Sequence, residues 1–186
     1  MEREVHALNA VVDRPVRPLI AILGGAKLGD EIGMVRRFLD VADVVCIGGG
    51  ICFPFLAAKG HRAGQSSCPP EDVELARSAL LTASRSRRRL KLPRDLVIAR
   101  RERNRARTQS LDGVDVPDGW GGFDIGAKTA TSYAAEAATA STVFWSGPMG
   151  RFEPALFAAG THAIAQAVAS TAATTVVGGG ETMQAL

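Results

Sequence analysis

At 186 residues, with 46% hydrophobic and 22% charged side chains, the chain suits one domain with a substantial core and is not composed like a disordered tail. No apolar run approaches the ~20 residues that span a bilayer, and Met1-Glu2-Arg3-Glu4 lacks the basic start and apolar stretch of a secretory signal, so no membrane partner and a cytoplasmic location are expected. The net charge of +3 is carried by arginines clustered at Arg85 and Arg87–Arg89 and again from Arg100 to Arg107, with no aromatic residue between them to stack on bases; a solvated helix end and loop are expected there, and nucleic acid is not an expected partner.

In chain order, Val5, Leu8, Val11 and Val12 fall near one helical face, which Pro15 and Pro18 interrupt. Residues 1–16 read as a helix and linker, and 17–186 as one domain. Leu19–Leu23 has the length and composition of a buried strand; Gly24-Gly25-Ala26-Lys27 closes it, and Ile32, Val35, Phe38 and Leu39 then take helical spacing. Val44–Ile47 is the next short strand, with Cys46 as a small core residue and Gly48-Gly49-Gly50 behind it. Phe53, Phe55 and Leu56 belong to a short helix with Pro54 in its first turn. Glu71–Ala83 reads as a helix with Val73, Leu75, Ala76, Ala79 and Leu80 inward. Asp95–Ala99 and Gly122–Ile125 read as strands, whereas Arg100–Trp120 shows no clear period. Thr129–Ala138 and Pro154–Ala169 read as helices, separated by a strand at Thr142–Trp145 that runs into Ser146-Gly147-Pro148. Thr174–Val177 and Gly178-Gly179-Gly180 follow, and a last helical signal starts near Glu181 and stops at Leu186.

Strands alternating with helices predict an α/β, Rossmann-like three-layer sandwich with a mainly parallel sheet, expected to be incomplete at its C-terminal end. Four glycine-marked turns after apolar runs suggest a nucleotide site at the carboxyl edge of that sheet, where free backbone N–H groups meet Lys27. Cys46, Cys52 and Cys68 show no paired metal-ligand spacing, nor do His6, His61 and His162. Trp120 and Trp145 are expected to pack near glycine turns.

Five segments carry a family resemblance: Arg17 to Lys27, Gly48–Gly50, Pro117 to Gly126, Trp145 to Glu153, and Gly178 to Thr182. In order and spacing they resemble the nucleotide-binding, carboxy-terminal domain of phosphoglycerate kinase. The resemblance covers nearly the whole chain. It implies an ADP/ATP-binding lobe, with residues 1–16 matching the interdomain helix and linker and 17–186 a single, truncated nucleotide-binding domain. The ancestral reaction is reversible phosphoryl transfer between 1,3-bisphosphoglycerate and ADP, with Mg²⁺ accompanying ADP or ATP. A separate phosphoglycerate-binding lobe is the implied partner, and the chain by itself is not expected to turn over.

The same resemblance assigns roles. Lys27 matches the lysine that contacts the transferred phosphoryl group. Gly25, Gly49, Gly50 and Gly122 match positions lining the adenine and ribose, Pro148 a wall of that slot, and Glu153 the carboxylate that takes the ribose hydroxyls. Gly179 and Gly180 offer backbone N–H groups to a phosphate, with the Thr182 hydroxyl beside them. Three positions depart from the family pattern. Glu31 replaces a second phosphate-binding lysine, Ser146 an asparagine, and Glu181 the aspartate associated with the metal-bound nucleotide. Glu181 is nevertheless the candidate metal ligand. Alternatives from other classes are a non-catalytic interaction module, using the arginine runs and an open sheet, and a nonfunctional fragment.

Overall fold

The computed structural model describes residues 14–86, 88–102 and 105–184. The helix expected over the first residues therefore falls largely outside the described chain. Leu19–Leu23 forms β1, buried at every position; Leu28–Val41 forms α1 and Val44–Ile47 forms β2. Cys52–Ala58 is α2, with Pro54 in its first turn, and Pro70–Arg85 is α3, opened by a proline whose missing N–H costs a helix start nothing. Arg89–Lys91 is β3, Leu96–Glu102 β4, Arg105–Leu111 β5 and Gly121–Ile125 β6. Ala127–Ala138 is α4, Thr142–Ser146 β7, Ala159–Ser170 α5, Thr174–Gly178 β8 and Gly180–Gln184 the short α6. A single 3₁₀ turn at Ala155–Phe157 stands where the sequence pattern starts the α5 helix.

The main sheet runs β3-β2-β1-β7-β8, and each of its pairings is parallel. Strand alternation splits β1 between two cores. Leu19, Ala21 and Leu23 face α1, α2 and α3, while Ile20 and Ile22 face α4 and α5. That division makes the three layers. On the first face Phe38 of α1 stacks on Phe144 of β7, ring centroids 4.3 Å apart.

The structure departs from the sequence reading in the middle of the chain. β4 and β6 leave the parallel sheet and join β5 in a separate antiparallel sheet of order β5-β4-β6. β5 lies inside the stretch without a period, because its residues pair Arg100 with Arg107, Ala99 with Thr108 and Ile98 with Gln109, an edge strand with too few apolar residues to show alternation. The arginine runs are likewise not a solvated helix end and loop throughout. Arg89 is in β3, and its guanidinium donates two hydrogen bonds to the buried Glu136, at 3.1 and 2.9 Å. Lys91 reaches the same carboxylate at 2.6 Å. Burial pushes the Glu136 carboxyl up, but Lys91 and Arg89 outweigh it and hold the group below its ordinary value. Arg100 lies over the Trp120 ring, 5.0 Å from its centroid.

Candidate functional site

The turns after β1, β2 and β7 meet at the carboxyl edge and lock by backbone contact. The Gly24 N–H donates to the Ser146 carbonyl at 2.8 Å, Gly25 to Pro148 at 3.2 Å and Gly49 to Met149 at 3.0 Å. The Ile51 N–H closes the set on the Gly25 carbonyl at 3.2 Å. Side chains would wedge these crossings apart: a Cβ on Gly49, where φ is +60°, would lie 2.7 Å from both the Gly25 and Pro148 carbonyl oxygens.

Beside this knot is a cavity of about 350 Å³. Its walls include Gly25, Gly49, Gly50, Gly122, Pro148, Glu153 and Glu181, seven of the residues named from the sequence, drawn from segments far apart in the chain. Four candidates do not line it. Lys27 is the exposed N-cap of α1, next to the lining residue Ala26. Gly179 and Gly180 are exposed at the start of α6. Thr182 is completely buried, and its hydroxyl oxygen accepts the Gly147 N–H at 2.7 Å, so it ties α6 to the turn after β7. Ser146 is buried at the end of β7, its hydroxyl beside Gly179.

The cavity walls are mixed in character. Phe53, Leu96, Phe123 and Ile125 are apolar lining residues, and Gly122 lies against the Phe53 ring, where any Cβ would collide. The Gly122 N–H is held by the Ser66 hydroxyl oxygen at 2.9 Å. Gly25, Ala26 and Glu181 line the cavity as well. Glu31, from the first turn of α1, covers Gly25, its carboxylate oxygen 3.5 Å from the position of a Cβ on that glycine. Burial pushes the Glu31 carboxyl up, with the like charges of Asp30 and Glu181 adding to the effect. The expected charge reversal at Glu31 thus lies beside the lining residue Gly25 and within electrostatic reach of Glu181.

Sequence reading missed Asp124, which is on the cavity wall and 4% exposed. Its carboxylate accepts the Ile125 N–H at 2.9 Å and the Gly160 N–H at 2.7 Å, so it caps the start of α5 from β6. A carboxylate between Phe123 and Ile125 in a strand was the available signal. Phe53 was visible only as part of a short helix and Phe123 only as part of a strand. Phe123 stacks on Phe157, centroids 4.7 Å apart, and its carbonyl accepts the Arg151 N–H at 2.7 Å, which pins the loop after β7 over the cavity.

Burial raises the Asp124 carboxyl to about 7, against the two N–H donors that favour the anion. An unfolded aspartate titrates near ~3.9, so folding takes up a proton between these values. The resulting stability is full at acid pH and is lost as pH rises through about 7. Relative to Asp124→Asn, the wild-type chain is expected to lose on the order of 2–3 kcal/mol between pH 5 and pH 8. Urea unfolding of both proteins at the two pH values measures this. A parallel pH response in the two would show that Asp124 titrates as it does in the unfolded chain.

Comparison with known proteins places these features in one family. The family model described as phosphoglycerate kinase matches residues 1–186. The phosphoglycerate kinase of Rubrobacter xylanophilus is 42% identical over 186 residues, covering 100% of this chain and 47% of that protein. The enzyme of Chloroflexus aurantiacus is 43% identical over 189 residues, again covering 47% of the longer protein. Among solved structures, phosphoglycerate kinase from Coxiella burnetii superposes with a TM-score of 0.93 at 37% identity, and that from Pyrococcus horikoshii with 0.81 at 27%, covering 48% and 47% of those chains. The chain spans about half the length of the curated relatives it matches.

Proposed function

The chain belongs to the phosphoglycerate kinase family, and from that premise we propose that residues 17–186 are its nucleotide-binding lobe, holding ADP or ATP in the cavity at the carboxyl edge. One observation carries this reading: seven glycine, proline and glutamate residues from three separate turns, the β6 strand and a short helix line one cavity of about 350 Å³, a size suited to a small-molecule ligand. The apolar lining suits a flat base against Gly122 and Phe53. Glu153 is available to the ribose hydroxyls, and the turn at Gly25 leads toward the start of α1, where Lys27 and free backbone N–H groups suit phosphate.

Phosphoryl transfer spreads charge over the transferring oxygens, and on this reading Lys27, next to the lining residue Ala26, supplies the countercharge. Among the described residues no group of three His, Cys, Asp or Glu side chains could hold a metal ion. Glu181 offers one carboxylate from the cavity wall, which fits Mg²⁺ carried in with phosphate oxygens of its own. Bound there, the cation would neutralise phosphate charge during transfer. Turnover needs both reactants positioned together, so on this reading the chain acts in the cytoplasm with a phosphoglycerate-binding lobe and contributes nucleotide binding rather than catalysis by itself.

Calorimetric titration with Mg-ADP tests the proposal. Saturable binding with a Kd at or below about 1 mM is expected, equivalent to about −4 kcal/mol. Absence of heat and of competition by adenosine at millimolar ligand would end it.

A further inference from the structure

Around Gly25 the cavity carries more carboxylate than cation. Gly25 and Glu181 line it, Glu31 covers Gly25, and Asp30 and Glu181 both act on Glu31 as like charges. Against these three acids stand Lys27 and the N-terminal dipole of α1, the latter about half a positive charge, and Arg151 on the cavity wall, which also carries the carboxylates of Asp124 and Glu153. An anion arriving at Gly25 therefore meets net negative charge.

Resting on the nucleotide reading above, we infer that Glu31 is a specificity-determining residue that turns this cavity against metal-free diphosphate, so that without a divalent cation it binds adenosine more tightly than ADP. Adenosine offers the same base to the Gly122 wall and the same ribose to Glu153, and brings no charge to Gly25. Metal-free ADP brings a diphosphate up to the Glu31 carboxylate. One pair of like charges about 5 Å apart, at an effective dielectric near 40, weakens binding by roughly tenfold. A divalent cation cancels most of the diphosphate charge, so the repulsion falls, and it gives Glu31 and Glu181 a positive centre to meet in place of bare phosphate.

Adenosine and ADP are titrated in low-salt buffer at pH 8, first with EDTA and then with Mg²⁺, into the wild-type chain, Glu31→Gln and Asp40→Asn. Asp40 is nine residues along the same helix, about 14 Å away, and controls for net charge. In EDTA the wild-type chain is expected to bind adenosine more tightly than ADP, and Mg²⁺ is expected to strengthen ADP about tenfold or more. Glu31→Gln raises the ADP-to-adenosine affinity ratio in EDTA about tenfold, whereas Asp40→Asn changes it by less than about twofold. ADP tighter than adenosine in EDTA, or a ratio that Glu31→Gln leaves in place, overturns the inference while the nucleotide site stands. Failure of both adenosine and Mg-ADP to bind at millimolar concentration overturns the nucleotide reading and this inference with it.

Discussion

Gly147→Ala is expected to lower the unfolding free energy by about 3 kcal/mol or more and to remove Mg-ADP binding. At this residue φ is +85°, a conformation in which a β-carbon costs about 1–2 kcal/mol by itself. Space adds to the cost. The new methyl would overlap the Gly24 carbonyl carbon and lie 2.7 Å from the Gly25 nitrogen, and both neighbours are main chain, so neither can swing aside. The Gly147 carbonyl accepts the Trp145 indole N–H at 2.9 Å and its N–H reaches Thr182, so a shift of this residue pulls on β7 and α6 together. Gly60→Ala is the control. Its φ is +92°, yet nothing lies within 4 Å of the added carbon. A loss of only about 1–2 kcal/mol is expected there, with nucleotide binding kept. Denaturant unfolding and calorimetry on both variants measure the difference; equal losses would show that the glycine serves the turn alone and not the crossing of the three loops.

Asp95→Ala is expected to cost about 3–5 kcal/mol in the same unfolding measurement. α4 opens on Gly126, which has no side chain to cap it. Asp95, just before β4, supplies the cap from another segment. One carboxylate oxygen accepts the Thr129 N–H at 2.8 Å and the Thr129 hydroxyl at 2.5 Å, and the other accepts the Lys128 N–H at 2.9 Å. The group is 8% exposed, so its removal strands buried donors at the positive end of a helix. Asp95→Asn keeps the shape and one strong acceptor, and about half the loss is expected. Gly126 completes the arrangement, because any Cβ there would collide with the Asp95 carboxylate. Should the alanine variant unfold at the wild-type denaturant midpoint, the cap contributes nothing and water serves α4 equally well.

These two residues mark different limits of sequence reading. Gly147 stood out because a glycine after an apolar strand and before a proline is a local signal. Asp95 was read as the first residue of a strand, and its partners stand more than thirty positions away, where no window on the sequence looks. Asp124 escaped for the same reason: Gly160 is its partner, 36 residues on. The sheet tells a similar story. β1, β2 and β7 are continuous apolar runs because both their faces are covered, and such runs are legible from composition. β3 and β5 are edge strands, rich in polar and charged residues, and went unread.

By itself the sequence determined the alternation of strands and helices, the glycine turns at the strand ends and the family those turns resemble, since each depends on residues within a few positions of one another. Only the tertiary structure decided that β4 and β6 form a separate antiparallel sheet, that Gly25, Gly122 and Glu181 share one cavity, and that Glu31 covers Gly25 on its wall. Which strand pairs with which, and which charges meet, follows from contacts between distant segments; those are chosen by packing both faces of the sheet at once, and no local stretch of chain encodes them.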